Sequence, residues 1–295
     1  MYINNNSMAS NVANNLTSHY SNLATSTQRL STGLRVNSAA DDAAGLAIRE
    51  LMRTDIKALQ QGVRNANDAI SLIQTADGAL GIIDEKLTRM KELAEQASTG
   101  TYDSTQRLMI ESEYQAMASE ITRIANATDF NGIHLLNGNL SGDTHDGSTM
   151  TATGKMKVHF GTANDSAEDY YYIQIGTSTA SALGVGNETT AGRDGSTIST
   201  QQAAQKALVA ITNAVVSKDK IRAHLGALQN RLENTVSNLT TQAENLQAAE
   251  SRISDVDVAT EMTKFVRNQI LTQSSVAMLS QANSMPKMAM QLIQG

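Results

Sequence analysis

Catalysis and metal binding both need titratable side chains that converge, so the histidines and their acidic neighbours come first. The five histidines, His19, His134, His145, His159 and His224, are scattered, and none shares a helical turn with another. No H-E-x-x-H string sets two imidazoles and a general base on one helix face, no glycine loop cradles phosphate, and no G-x-S-x-G elbow presents a nucleophile. His145 lies between Asp143 and Asp146, but in a Gly/Ser-rich stretch where chance adjacency outweighs a metal site. Cysteine is absent, which excludes disulfides and thiolate ligation. These residue types predict no enzyme, no metal and no cofactor.

Charge and hydropathy narrow the partners. A net charge of −6 and a pI near 5.4 argue against a nucleic-acid backbone as ligand. No run of eighteen apolar residues exists to insert in a membrane. The N-terminus lacks the basic-then-apolar order of a standard secretory signal, which alone points to the cytosol unless export reads an uncleaved address. Aromatic residues are 3%, Trp is absent, and Phe occurs only at Phe130, Phe160 and Phe265. With rings so scarce, burial falls to aliphatic seams between helices packed side by side. A single proline, Pro286, leaves helix propagation almost uninterrupted.

The elements bear this out at the level of pattern. Ile56, Leu59, Val63, Ala66, Ile70 and Ile73 step by three and four; the stripe slips at Ala76 and resumes through Leu80, Ile83, Leu87, Met90 and Ala94. That spacing predicts one helix from Asp42 to Ser98 with a coiled-coil-like seam, closed by Gly100. Asp103 with Gln106 forms a capping box for the next helix, whose stripe is Ile110, Tyr114, Met117, Ile121 and Ile124. Downstream, Leu225, Leu232, Leu239, Leu246 and Ile253 recur every seven residues. Matching stripes from opposite ends of the chain predict a mainly α fold, an elongated bundle of long antiparallel helices.

Between them, residues 139–200 turn rich in Gly, Ser, Thr, Asp and Asn. Val158 with Phe160, and Tyr171, Ile173 and Ile175, alternate as strands do, which predicts small β-hairpins on an exposed, deletion-tolerant surface. The Tyr170, Tyr171, Tyr172 run reads as hairpin packing rather than a recognition patch. The two ends differ again. No charge precedes Arg29, and Gln273 to Gly295 carries only Lys287. Leu16, Tyr20, Leu23, Thr27, Leu30 and Leu34 keep the four-three spacing, while Met262, Phe265, Val266, Ile270, Val276 and Leu279 make a broad apolar surface. Such helices are marginal alone and poorly solvated, so they are expected to order when many copies pack together.

The residues also carry a family resemblance. Ile3-Asn4-Asn5-Asn6, the run from Arg29 to Leu46 (RLSTGLRVNSAADDAAGL), Ala76-Asp77-Gly78-Ala79-Leu80, Thr128-Asp129-Phe130-Asn131-Gly132, Ser251-Arg252-Ile253 and Gln281-Ala282-Asn283-Ser284-Met285-Pro286 occur in order. In this the chain resembles the bacterial flagellins over everything except its centre. The resemblance implies a filament subunit for swimming motility, divided into an inner terminal helix at 1–41 paired with 256–295, middle-domain helices at 42–138 packed with 201–255, and an exposed variable insertion at 139–200. It implies a polymer of the chain with itself, with Leu16, Leu23, Leu30, Met262, Phe265, Val266 and Ile270 at the inner subunit interface. It also implies an export apparatus and chaperone that read the uncleaved N-terminus, hook-associated and cap proteins as partners, and an extracellular flagellum as destination. A vertebrate Toll-like receptor binds some members, and the matching positions here are Arg89, Leu93 and Glu113; Lys91 and Glu95 depart from the usual pattern. Physically, Gly33 can end one helix while Ser38 with Asp41 caps the next, and Ser254 with Asp257 offers a mirror-image restart. A hook–filament junction protein and a secreted helical adhesin are the alternatives.

Overall fold

The computed structural model describes residues 6–147, 154–166, 168–186 and 195–294. Ile3 to Asn5, from the first family string, lie outside them. The elements are α1 (Ser7–Thr32), α2 (Ala43–Ser98), α3 (Ser104–Ala127), β1 (Asp129–Phe130), β2 (Ile133–His134), β3 (Met156–His159), β4 (Tyr170–Ile173), α4 (Ala180–Leu183), α5 (Gln201–Ser254) and α6 (Val258–Gln294). Chain contacts divide them into a terminal unit, residues 1–56 with 244–295, and a central unit, residues 57–243.

The central unit holds almost all of the core. Leu72, Ile73, Leu80, Ile83, Leu87 and Met90 of α2 are buried, as are Tyr114 and Ile121 of α3 and Ile211, Leu225 and Leu232 of α5. The predicted stripes are therefore the seams of a helical bundle. Two details differ from expectation. The end of α2 is closed by a side chain, not by glycine: Arg107 donates from Nε to Ala97 O at 3.0 Å and from Nη2 to Thr99 O at 3.1 Å. And α5 carries a buried cation, Lys218, paired with Asp84 and Asp219 beside a bidentate Arg222–Asp77 pair.

The central segment is more deeply packed than its composition implied. β3 and β4 pair antiparallel, Val158 opposite Tyr171, and Val158, Phe160, Ile173 and Ile175 are buried. Leu140, Leu183, Val185 and Ile198 join the same core as α2 and α3. Gly62 on α2 lets the hairpin approach, since a Cβ there would fall 2.0 Å from Phe160 O. The alternation at 156–175 is that of a hairpin, and one of its faces lies in the core, so the segment is not wholly exposed.

Candidate assembly surfaces

In the terminal unit α1 packs against α6. Capping explains where each begins. Asn6 accepts from Ala9 N at 3.0 Å and donates from Nδ2 to Ala282 O at 2.9 Å, tying the start of α1 to the far part of α6. Gly33, at φ 72°, ends α1 with its N–H on Arg29 O. The restart differs from the expected Ser38 cap. Asp42 Oδ1 accepts from Gly45 N at 2.9 Å and caps α2, while Asp41 gathers Asn37 N, Ser38 N and Ser38 Oγ into the preceding turn. Those backbone donors of Ser38 and Asn37 hold the Asp41 carboxyl below its ordinary pKa. At the other connector Asp257, not Ser254, is the cap: its Oδ1 accepts from Ala259 N and Thr260 N. The Thr260 hydroxyl is the largest cause of its lowered pKa. In both places the acid nearest the helix start wins, since only it reaches the free N–H groups.

The two connectors are knitted to each other. Leu34 and Asp255 form an isolated antiparallel bridge, Arg35 N donates to Ser254 O at 2.6 Å, and Val256 N donates to Gly33 O at 3.0 Å. Arg35 Nη2 reaches Ile253 O at 2.6 Å, Arg49 Nη1 reaches Val36 O at 2.7 Å, and Arg53 Nε meets Glu250 at 2.9 Å. Several backbone groups at each break in a helix are thus satisfied by the other connector.

Between α1 and α6 the buried contacts are mostly polar. Ser26 Oγ donates to Glu261 Oε1 at 2.7 Å, and Lys264 Nζ sits 3.2 Å from Glu261 Oε2. Glu261 is 3% exposed. Burial pushes its pKa up, but the Ser26 hydroxyl and the Lys264 ammonium outweigh that and hold it below the ordinary glutamate value. Leu16, Leu23 and Leu30 are half-buried on α1, and Phe265 is half-buried on α6. Met262, Val266 and Ile270 are 45%, 43% and 57% exposed, and Val258, Leu271, Val276, Met278, Met288 and Met290 are exposed as well. Within the single chain the expected set therefore differs in exposure: the leucines and Phe265 are half-buried, and the other three α6 residues are exposed. Apolar side chains occur all around α6, the pattern of a helix meant to be enclosed.

Arg89 and Glu113 meet directly in the central unit. Arg89 Nε and Nη2 reach Glu113 Oε1 at 2.9 and 2.8 Å, and Nη1 reaches Glu92 at 2.9 Å. The Glu113 bond is the main reason its pKa rises. Leu93 does not share this face, being 1% exposed in the bundle core. It lies on the seam because Leu87, Met90, Leu93, Ala94 and Ala97 continue one buried stripe. Among the described residues no group of three or more His, Cys, Asp or Glu could hold a metal, and no helix is long and apolar enough to cross a membrane. His145 Nδ1 is engaged by Lys155 O at 2.8 Å.

Sequence reasoning missed Lys218, although the heptad that gives Leu232 and Leu225 continues backward through it to Ile211. It also passed over the β1–β2 hairpin, whose Asn131-Gly132 turn has both residues at positive φ, 53° and 79°. That dipeptide is itself a hairpin signal.

Comparison with known proteins covers most of the chain. Residues 3–141 match the bacterial flagellin N-terminal helical region and residues 208–293 match the bacterial flagellin C-terminal helical region. The flagellar filament core protein of Brachyspira hyodysenteriae is 40% identical over 294 residues, covering 100% of both chains. A flagellin of Bacillus subtilis is 41% identical over 306 aligned positions, covering 99% of this chain and 100% of its own. The solved structure of a putative flagellar hook-associated protein from Vibrio parahaemolyticus aligns with a TM-score of 0.55 at 14% identity, covering 73% of this chain and 100% of that one, a likeness of fold alone.

Proposed function

The chain belongs to the bacterial flagellin family, and from that membership we infer a structural subunit that polymerises into the flagellar filament, with swimming motility as the role of the polymer. The observation that carries the molecular reading is the uncovered apolar surface of α6. A single chain offers it no partner, and a filament repeats the same contact at every subunit, so copies of the chain are the occupant its function provides. Met262, Val266 and Ile270 then face neighbouring subunits, while Leu16, Leu23, Leu30 and Phe265 hold α1 to α6 inside each one. Residues 1–41 with 256–295 are the inner layer of that filament, 42–138 with 201–255 its middle layer, and 139–200 lies outermost.

The wider partners follow from the same role. An extracellular filament grown from exported subunits requires an export apparatus and chaperone, with the address in the N-terminal segment, and hook-associated and cap proteins at its two ends. Arg89 with Glu113 is the exposed pair a vertebrate Toll-like receptor would meet, with Leu93 supporting it from beneath. The test of the filament reading is seeding: purified subunit added to sheared filament fragments extends them in electron micrographs. A subunit that stays monomeric on seeds would refute it.

A further inference from the structure

The methionines of this chain are not spread evenly. Five of the thirteen, Met262, Met278, Met285, Met288 and Met290, lie on α6. Met262, Met278, Met288 and Met290 are 45%, 54%, 48% and 48% exposed, whereas Met90 in the central bundle is fully buried. With cysteine and tryptophan both absent, exposed thioethers are the most oxidisable groups the subunit offers, and outside α6 Met8 and Met109, 54% and 69% exposed, share that accessibility. They also sit on the surface that the filament reading covers with other copies.

We propose that the α6 methionines are a peroxide modification site that governs whether a subunit can join the filament. The inference rests on the filament-subunit reading above. In the step, a thioether sulfur is oxidised by two electrons as hydrogen peroxide is reduced. The O–O bond breaks, one oxygen forms the sulfoxide S–O bond, and the other leaves as water with the two protons. The product replaces a flexible apolar side chain by one with a strong acceptor oxygen. In an interface made of Val266, Ile270, Leu271 and Val276, that oxygen loses its water and gains no donor. Assembly reverses the situation, because a packed neighbour shields the same sulfurs. Oxidation therefore stops growth while leaving existing filament intact, and reduction of the sulfoxides restores it.

Full-length subunit is treated with hydrogen peroxide, sulfoxide at each methionine is read by peptide mass spectrometry, and growth from sheared filament seeds is followed by electron microscopy. Met262, Met278, Met288 and Met290 are expected to oxidise well ahead of Met90. Seeded growth should fall roughly tenfold or more, and methionine sulfoxide reductases should restore it. The variant with Met262→Leu, Met278→Leu, Met285→Leu, Met288→Leu and Met290→Leu conserves apolar bulk and should grow equally with and without peroxide. Filament assembled before treatment should keep its α6 sulfurs reduced. Oxidised wild type that extends seeds at the untreated rate overturns the proposal, as does a Leu variant that loses growth on peroxide treatment, which would move the effect to Met8 or Met109. If the Leu variant fails to grow untreated, reductase rescue of wild type decides, and absence of recovery counts against the proposal. Untreated wild type that ignores seeds sinks the filament reading instead.

Discussion

The central and terminal units use the same element, the long helix, to opposite ends. In the central unit α2, α3 and α5 turn their stripes toward one another, and Leu80, Ile83, Leu87, Leu225 and Leu232 are all essentially buried. In the terminal unit the buried side chains include Ser26, Arg49, Ser254, Glu261 and Thr272, with only Val36, Ile56 and Ala282 as buried apolar residues among the described ones. Thirteen of the nineteen large apolar side chains left exposed among the described residues belong to this smaller unit. One unit buries its apolar stripes within the chain; the other leaves an apolar surface uncovered, which the proposed filament would bury, and pairs its own helices through polar contacts. Buried polar pairs add little net stability but penalise misregistered packing, which suits a helix pair that the proposed filament would strengthen.

The largest expected effect breaks the terminal unit without touching the central one. Ile270→Asp puts a charge where the filament would bury an aliphatic side chain. It forfeits about 1.5–3 kcal/mol of burial per subunit and adds the desolvation cost of an unpaired carboxylate. Seeded growth should be abolished while circular dichroism and the thermal unfolding of the central bundle stay as in wild type. Filaments of ordinary heat stability from this variant would mean that the α6 surface faces solvent. The reverse experiment is Ile173→Ala, at a fully buried hairpin position in the central core. It should lower the stability of the monomer by about 2–5 kcal/mol, read in denaturant titration, without any polymer present. A change below about 0.5 kcal/mol would return the hairpin to the status of a surface appendage.

Ile173 also shows where the sequence could be read and where it could not. Period was legible: every stripe assigned to α2, α3 and α5 is a seam, and the strand alternation around Val158 and Ile173 is real. What was not legible is which of two apolar surfaces a chain satisfies internally. Leu23 and Val266 look alike in sequence, yet one is half-buried and the other exposed, because that depends on how α1 and α6 are rotated against each other. A Gly/Ser-rich composition likewise records turns, not the burial of the residues between them. Arg89 and Leu93, four apart, share a helix face only nominally. The edge of the bundle seam passes between them, so one is half-exposed and the other buried. The two connector caps were expected four and three residues too early, because several acids and serines compete at each connector, and geometry alone selects Asp42 and Asp257.

A smaller effect sharpens the comparison from the polar side. Ser26→Ala removes one of the two donors on the buried Glu261 carboxylate and should cost the α1–α6 pair about 1 kcal/mol. The pH dependence has a definite sign. Because the folded pKa of Glu261 lies below its usual 4.5, its contribution is complete above about pH 4.5 and disappears as pH falls through the lowered value. Glu261→Gln should flatten that acid limb in the heat stability of the terminal unit. An unchanged acid profile would show that other carboxylates control it.

The smallest expected effect lies on the surface of the complete unit. Arg89 donates three charge-assisted hydrogen bonds to Glu113 and Glu92, yet its side chain is 49% exposed and those of Glu113 and Glu92 are 44% and 60% exposed. Water and salt screen such a network, and holding three long side chains in one arrangement costs rotamer entropy. Arg89→Ala should therefore shift monomer stability by no more than about 1 kcal/mol, and by less at high salt. Leu93→Ala, one helical turn away, should cost about 2–5 kcal/mol, because its side chain is enclosed by the bundle. The pair of variants separates recognition from folding at this face. Receptor signalling lost in the Arg89 variant, with its unfolding curve unchanged, would assign the guanidinium to the contact. Signalling lost only in the Leu93 variant, in step with its loss of stability, would show that the bundle's integrity is all the receptor senses there. A drop of several kcal/mol for Arg89→Ala would contradict the screening argument and place the ion pair among the interactions that hold α2 to α3.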